Sequence, residues 1–298
     1  MRQTLVDLIN NTIVFQYELP NNSLGIPKSV HTSEFDHCYL PTNSPDLSSV
    51  IYNGIVDYSF NKSQIDLSKL DTLHRRALIT KLRYDALADP ATKKKYGLFG
   101  EILLFLMLQV KFGADTLISR GCFYNPLEGS ETKGYDTYQL IQRPSESTEL
   151  WFGEVKFFES YKAALKKIFK NIDKAISSGY LDKNIVAMSD RGEFNVTGSE
   201  IEEIVRAWEE NPGIIISDEL KTRNMTLVYP ILVAFDDQNK GYNEIVNEVV
   251  THINTDYPKR SYSIDINVKI FFILLPVKNV GTIKDTVITW IDSNQPLI

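Results

Sequence analysis

Lys133-Gly134-Tyr135-Asp136 and, after a polar break, Trp151-Phe152-Gly153-Glu154-Val155-Lys156 are the stretch from which the rest of this chain is read. Residues 135 to 142 and 149 to 158 are rich in aromatic and β-branched side chains, and Arg143-Pro144-Ser145-Glu146-Ser147 between them is turn chemistry, so a hairpin is predicted. With the turn centred on Ser145, antiparallel pairing sets Asp136 opposite Glu154. Directly opposed Cβ atoms lie about 4.5–5.5 Å apart, so the two carboxylates can share a divalent cation. Lys156 is two residues beyond Glu154 and shares its face, where an ammonium can orient a water or stabilise charge developing on a phosphate. The competing reading makes these exposed charges on a two-stranded ribbon. Leu150, Trp151, Phe152, Val155, Phe157 and Phe158 argue instead for an interior strand, in which lone charges are costly.

Tyr96 to Val110 reads as a helix apolar almost all round, hence buried, with Glu101 as its only acid. In the first turn Glu101 would complement the helix dipole. If Asp89 is the N-cap and Pro90 the first helical residue, Glu101 falls mid-helix and wants a partner. From Glu159 to Ser177 the apolar positions Tyr161, Leu165, Ile168, Phe169, Ile172 and Ile176 follow a helical period, and Lys162, Lys166, Lys170 and Lys174 recur every four residues on another face, widened by Lys167. A lysine stripe is ordinarily a solvated face; starting just downstream of the glutamate strand, it is a candidate DNA-backbone track.

The order helix with Glu101, strand over 115–125, strand with Asp136, strand with Glu154 and Lys156, lysine-striped helix resembles the core of the restriction-endonuclease-like PD-(D/E)xK superfamily over roughly residues 90 to 190. Gly134-Tyr135 stands where a proline conventionally precedes the aspartate. Within the superfamily, Gly97-Leu98-Phe99-Gly100-Glu101, Gly134-Tyr135-Asp136 and Trp151-Phe152-Gly153-Glu154-Val155-Lys156 are similar to the HamA family, nuclease subunits of the Hachiman antiphage defence system. The resemblance implies an α/β fold, a mixed β-sheet flanked by helices. It implies that Asp136, Glu154 and Glu101 hold Mg²⁺ (or Mn²⁺) and that Lys156 completes the catalytic set. It further implies a DNA substrate and a superfamily 2 helicase as partner.

The chain has 298 residues, 43% hydrophobic and 23% charged, enough to bury a substantial core. The longest apolar run, Ile102 to Leu108, is too short to span a bilayer, and no secretory-signal pattern opens the chain, so the expectation is a cytoplasmic protein without a membrane segment. Cys38 and Cys122 have no metal-ligand spacing; Cys122 is expected as a small core residue in a strand. His31, His37 and Cys38 lack a fourth ligand, and His74 and His252 are expected at the surface. A net charge of −6 means that any DNA contact must rest on local basic clusters: the stripe, Lys93-Lys94-Lys95, or Arg75-Arg76 with Lys81 and Arg83.

Residues 1 to about 66 read as mixed strand and loop broken at Asn43-Ser44-Pro45, and 66–87 as helical. This gives a region 1–88, a cap or partner-docking surface, and a nuclease domain 89–298. Residues 184–188 read as a fourth core strand and 200–210 as an acidic amphipathic helix. Residues 225–235 and 267–277 have the near-continuous apolar character of buried strands, alternating with helices near 242–254 and 284–293, and read as a C-terminal α/β extension of the same sheet. Asp236-Asp237 reads as a turn rather than a metal pair. A catalytically silent nuclease-fold adaptor that recruits a helicase is the alternative function. A glycosidase pair is disfavoured because Lys156 would hold the neighbouring acid ionised.

Overall fold

A computed structural model describes all residues except 28–33, 126, 128–129, 132, 144–145, 190–193, 196–197 and 257–261, so His31 and the turn centre Pro144-Ser145 lie outside the described residues. The chain opens with α1 (Gln3–Thr12), β1 (Ile13–Leu19), β2 (Asp36–Pro41), α2 (Ser44–Ser59) and α3 (Leu70–Thr80). Next come α4 (Pro90–Lys93), α5 (Leu98–Phe112), β3 (Asp115–Thr116), β4 (Tyr124–Asn125), β5 (Ser130–Glu131), β6 (Gln139–Ile141), β7 (Glu149–Trp151) and β8 (Glu154–Phe157). The remainder is α6 (Tyr161–Ala175), α7 (Ser178–Ser189), α8 (Glu200–Glu210), α9 (Ile216–Thr222), β9 (Thr226–Asp236), α10 (Tyr242–Asp256), β10 (Asn267–Val277) and α11 (Val280–Ser293).

Among the described residues one mixed sheet of eight strands runs β1-β2-β10-β9-β7-β6-β3, with β8 also paired to β9. β9 and β10 are parallel over eleven residue pairs at its centre, and β9 is buried along its length except at Asp236, as expected of a strand covered on both faces. Period-two alternation sorts its side chains. Leu227, Tyr229, Ile231, Val233 and Phe235 face a core with residues of α6, α7, α8, α9 and α10. Val228, Leu232 and Ala234 face a second core with residues of α1, α2, α3, α5 and α11. The mixed α/β class with a helix-flanked sheet is as the sequence predicts.

Several local expectations need correction. Residues 115–125 are not one strand: β3 ends at Thr116, and Arg120–Phe123 is a 3-10 turn. The Ser119 hydroxyl donates to the Tyr58 carbonyl at 2.7 Å and its N–H to Asn61 Oδ1 at 2.8 Å, tying the segment to the end of α2 instead of to a ladder. Cys122 therefore lies in that turn, only partly buried. Residues 184–188 belong to helix α7, whose Leu181, Ile185 and Met188 face the core at helical spacing. Asn43-Ser44-Pro45 starts α2, with Asn43 Oδ1 accepting the Asp46 N–H at 2.8 Å and proline in the first turn. The helix predicted over 66–87 stops at Thr80. His74 is buried, 4% exposed, with its ring 4.5 Å from that of Tyr52; burial lowers its pKa to about 4.

Candidate active site

β6 and β7 pair antiparallel as Gln139↔Trp151, Leu140↔Leu150 and Ile141↔Glu149, the predicted register. Continued outward it would set Asp136 against Glu154, but both strands stop short and the Asp136 N–H meets the Gly153 carbonyl, one residue out of that register. Phe152 donates its N–H to the Val228 carbonyl at 3.1 Å. Pro230, two residues on, faces the same neighbour and has no N–H to give, so the ladder breaks there. Gly153 passes over the break: a Cβ on it would sit 3.0 Å from the Pro230 carbonyl and 3.0 Å from Leu104 Cδ2. β8 then resumes parallel to β9 as Glu154↔Ile231 and Lys156↔Val233.

Asp136 occupies this break. Its N–H donates to the Gly153 carbonyl at 3.0 Å, and its Oδ2 accepts the Val155 N–H at 2.8 Å. Alternation along β8 turns Val155 and Phe157 toward α5 and leaves Glu154 and Lys156 on the α6/α7 side, each side chain 17% exposed. Lys156 Nζ bonds the Glu154 carboxylate and donates to the Val155 carbonyl at 2.8 Å. Burial, then Asp136, raise the Glu154 carboxyl to about 7 against the opposing pull of Lys156. Burial lowers the Lys156 ammonium, but Asp136 and Glu154 outweigh it, so its pKa is raised and it stays charged.

Glu101 comes from the other layer. It lies in the first turn of α5, because Asp89 and Pro90 start only the short α4. Its carboxylate accepts the hydroxyl of Tyr58, on α2. Burial and then Asp136 raise it to about 8, with buried Arg120 opposing; Arg120 is itself ion-paired to Glu131 at 3.0 Å. Among the described residues no three His, Cys, Asp or Glu side chains converge on a point that could hold a metal ion. The donor chemistry nonetheless fits a hard divalent cation: oxygen ligands from Asp136 and Glu154, with mutual repulsion for a cation to relieve. Glu101 offers a third carboxylate, with the Tyr58 hydroxyl on its Oε2.

Lys162, Lys166, Lys167 and Lys170 are exposed on α6 as predicted. The C-terminal end of α6 is the one bonded to Tyr135, the residue before Asp136: the Ala175 carbonyl accepts the Tyr135 hydroxyl at 2.7 Å. Lys93 is not part of a groove: it is buried and bonded to Asp292 at 2.9 Å. His37 packs against Phe112 and Phe271, and Asp237 Oδ1 accepts the Asn239 N–H in a turn. Sequence reasoning missed Tyr58 and Arg120, because one lay in a region read as loop and strand and the other in a supposed strand.

No helix among the described residues is long and apolar enough to cross a membrane. A search of curated proteins and a search of solved structures each return no match. The family model HamA matches residues 7–291, nearly the whole chain. The chain therefore belongs to the HamA family, associated with Hachiman antiviral defence.

Proposed function

We propose that this protein is a metal-dependent DNA nuclease that acts in antiviral defence together with a superfamily 2 helicase. The observation that carries the reading is that Asp136, which accepts the Val155 N–H, and Glu154 both stand at the break in the sheet, with Lys156 bonded to the Glu154 carboxylate and to a main-chain carbonyl. Asp136 and Glu154 would hold the cation, Mg²⁺ or Mn²⁺, with Glu101 as a further ligand. Bound there, it would supply Lewis-acid activation and charge neutralisation for phosphodiester hydrolysis. Lys156, kept protonated by two carboxylates, places a positive charge where the phosphate becomes more negative. Glu101 and Glu154 are partly protonated near neutrality, which suits groups that must exchange a proton for a cation.

Cleavage of linear and supercoiled DNA, measured with Mg²⁺ and with EDTA for the chain alone and with the helicase encoded beside it, tests this directly. Glu154→Gln keeps the shape and removes the charge; it is expected to lower the cleavage rate at least a hundredfold with no loss of folding. Metal-independent cleavage, or full activity in Glu154→Gln, sinks the reading. A chain that binds the helicase and never cuts is the adaptor.

A further inference from the structure

Two basic hollows adjoin the carboxylates, one from each layer of helices. On the α7 side, a cavity of about 480 Å³ is lined by Lys133, Lys174, Tyr180, Lys183 and Asn184. On the α5 side, a cavity of about 330 Å³ is lined by Lys81, Arg83, Lys95 and Tyr96 beside Glu101 and the Arg120–Glu131 ion pair. The first hollow approaches the centre through Lys133, three residues before Asp136, and through Tyr180, whose ring lies 5.1 Å from that of Tyr135; Glu101 itself lines the second.

The cations in these hollows differ from their neighbours. Lys93 and Lys94 are neutralised by Asp292 and Asp285. No ion pair among the described residues engages Lys133, Lys174, Lys183, Lys81, Arg83 or Lys95. The α7 hollow also has a fixed floor: Asn184, 4% exposed, donates to the Tyr180 carbonyl at 2.7 Å and accepts the Tyr138 hydroxyl at 2.6 Å. Lys174 stands 5.1 Å over the Tyr180 ring.

We infer that the two hollows are phosphate-binding sites for one single nucleic-acid strand, which crosses the carboxylates with cations on either side of the bond to be cut. The inference rests on the nuclease reading and adds its substrate path. A chain of net charge −6 can hold a polyanion only through clustered, unneutralised cations, and these two clusters border the site. Each hollow couples its cations with a partly exposed tyrosine, Tyr180 or Tyr96, the pairing that holds unpaired bases by stacking while the backbone is neutralised. Of the lysines on α6, Lys174 lines a hollow; Lys162 and Lys166 lie toward the helix end remote from Ala175 and Tyr135.

The test is binding of the full chain to a fluorescent single-stranded oligonucleotide and to a duplex of the same length, by anisotropy in EDTA over a salt series. Lys174→Ala with Lys183→Ala, and separately Arg83→Ala with Lys95→Ala, are expected to weaken single-strand binding about tenfold. Each pair should reduce the slope of log affinity against log salt by roughly 1.4, two phosphates at about 0.7 each. Charge-reversed pairs should lose more, and Lys162→Ala with Lys166→Ala should change affinity less than about twofold. All four positions in the hollow pairs are exposed, and circular dichroism checks their folding. Unchanged affinity in both hollow pairs, loss confined to the α6 pair, duplex bound as tightly as single strand, or no binding by the unaltered chain overturns the inference. Strand binding through the hollows with no cleavage in Mg²⁺ would sink the nuclease reading and leave the hollows standing; cleavage indifferent to the hollow pairs would do the reverse.

Discussion

Glu154 lies on β8 with Lys156 bonded to its carboxylate and Asp136 across the sheet break, and its pKa shows which neighbour dominates: burial and Asp136 together raise it to about 7. A carboxyl with a raised folded-state pKa stabilises the fold in its protonated form. That contribution is complete below the unfolded value near 4.5 and is lost as the pH rises through about 7; Glu101 extends the loss to about 8. At pH 8 the ionised cluster therefore opposes folding. Asp136→Asn removes one charge and keeps an oxygen for the Val155 N–H. It is expected to raise the melting temperature at pH 8 by about 2 °C, equivalent to roughly 1 kcal/mol in a chain of this size, with little change at pH 5, while abolishing cleavage. Thermal unfolding at the two pH values checks this, and a variant less stable at both would mark Asp136 as structural. Asp136, Glu154 and Lys156 were legible because period-two alternation and hairpin register are local rules. His74 was not: its neighbours Arg75 and Arg76 are charged, and only the packing of α3 on Tyr52 buries it.

At the scale of elements, α2 and α5 bring Tyr58 to Glu101, and their closeness depends on Gly54. A Cβ there would lie 2.4 Å from Leu106 Cδ1 and 2.9 Å from Ile102 Cγ2. Gly54→Ala is expected to destabilise the protein by about 1–3 kcal/mol through overpacking, despite the better helix propensity of alanine. Chemical denaturation should show a lower midpoint with an unchanged slope; an unchanged midpoint would mean that the helices separate at no cost. Long elements were readable because their patterns are long: β9 and β10 are continuous apolar runs, and α6 and α8 keep a helical stripe over three or more turns. The segment 184–188 is too short to distinguish a buried strand from one face of a helix. The whole of α7, with Leu181 four residues before Ile185, carries the deciding period.

For the whole molecule, the first and last parts of the chain share one sheet and one core. β2 pairs with β10 through His37↔Ile273 and Cys38↔Leu274. The Arg2 guanidinium donates to the carbonyls of Asn53 at 2.6 Å and of Ile298 at 2.5 Å. A single cooperative calorimetric transition is expected, with residues 1–88 and 89–298 melting together; two resolved transitions would show that the regions fold separately. The sequence by itself determined the α/β class, the long buried strands, the family and the antiparallel register of β6 on β7, because each rests on patterns within a few tens of residues. Only the tertiary structure decided that Pro230 breaks the ladder beside Gly153 and that Tyr58 holds Glu101. The same is true of the gathering of Lys133, Lys174 and Lys183 in one hollow and of Lys81, Arg83 and Lys95 in another. These are contacts between residues far apart in the chain, and no local period encodes which distant surfaces will meet.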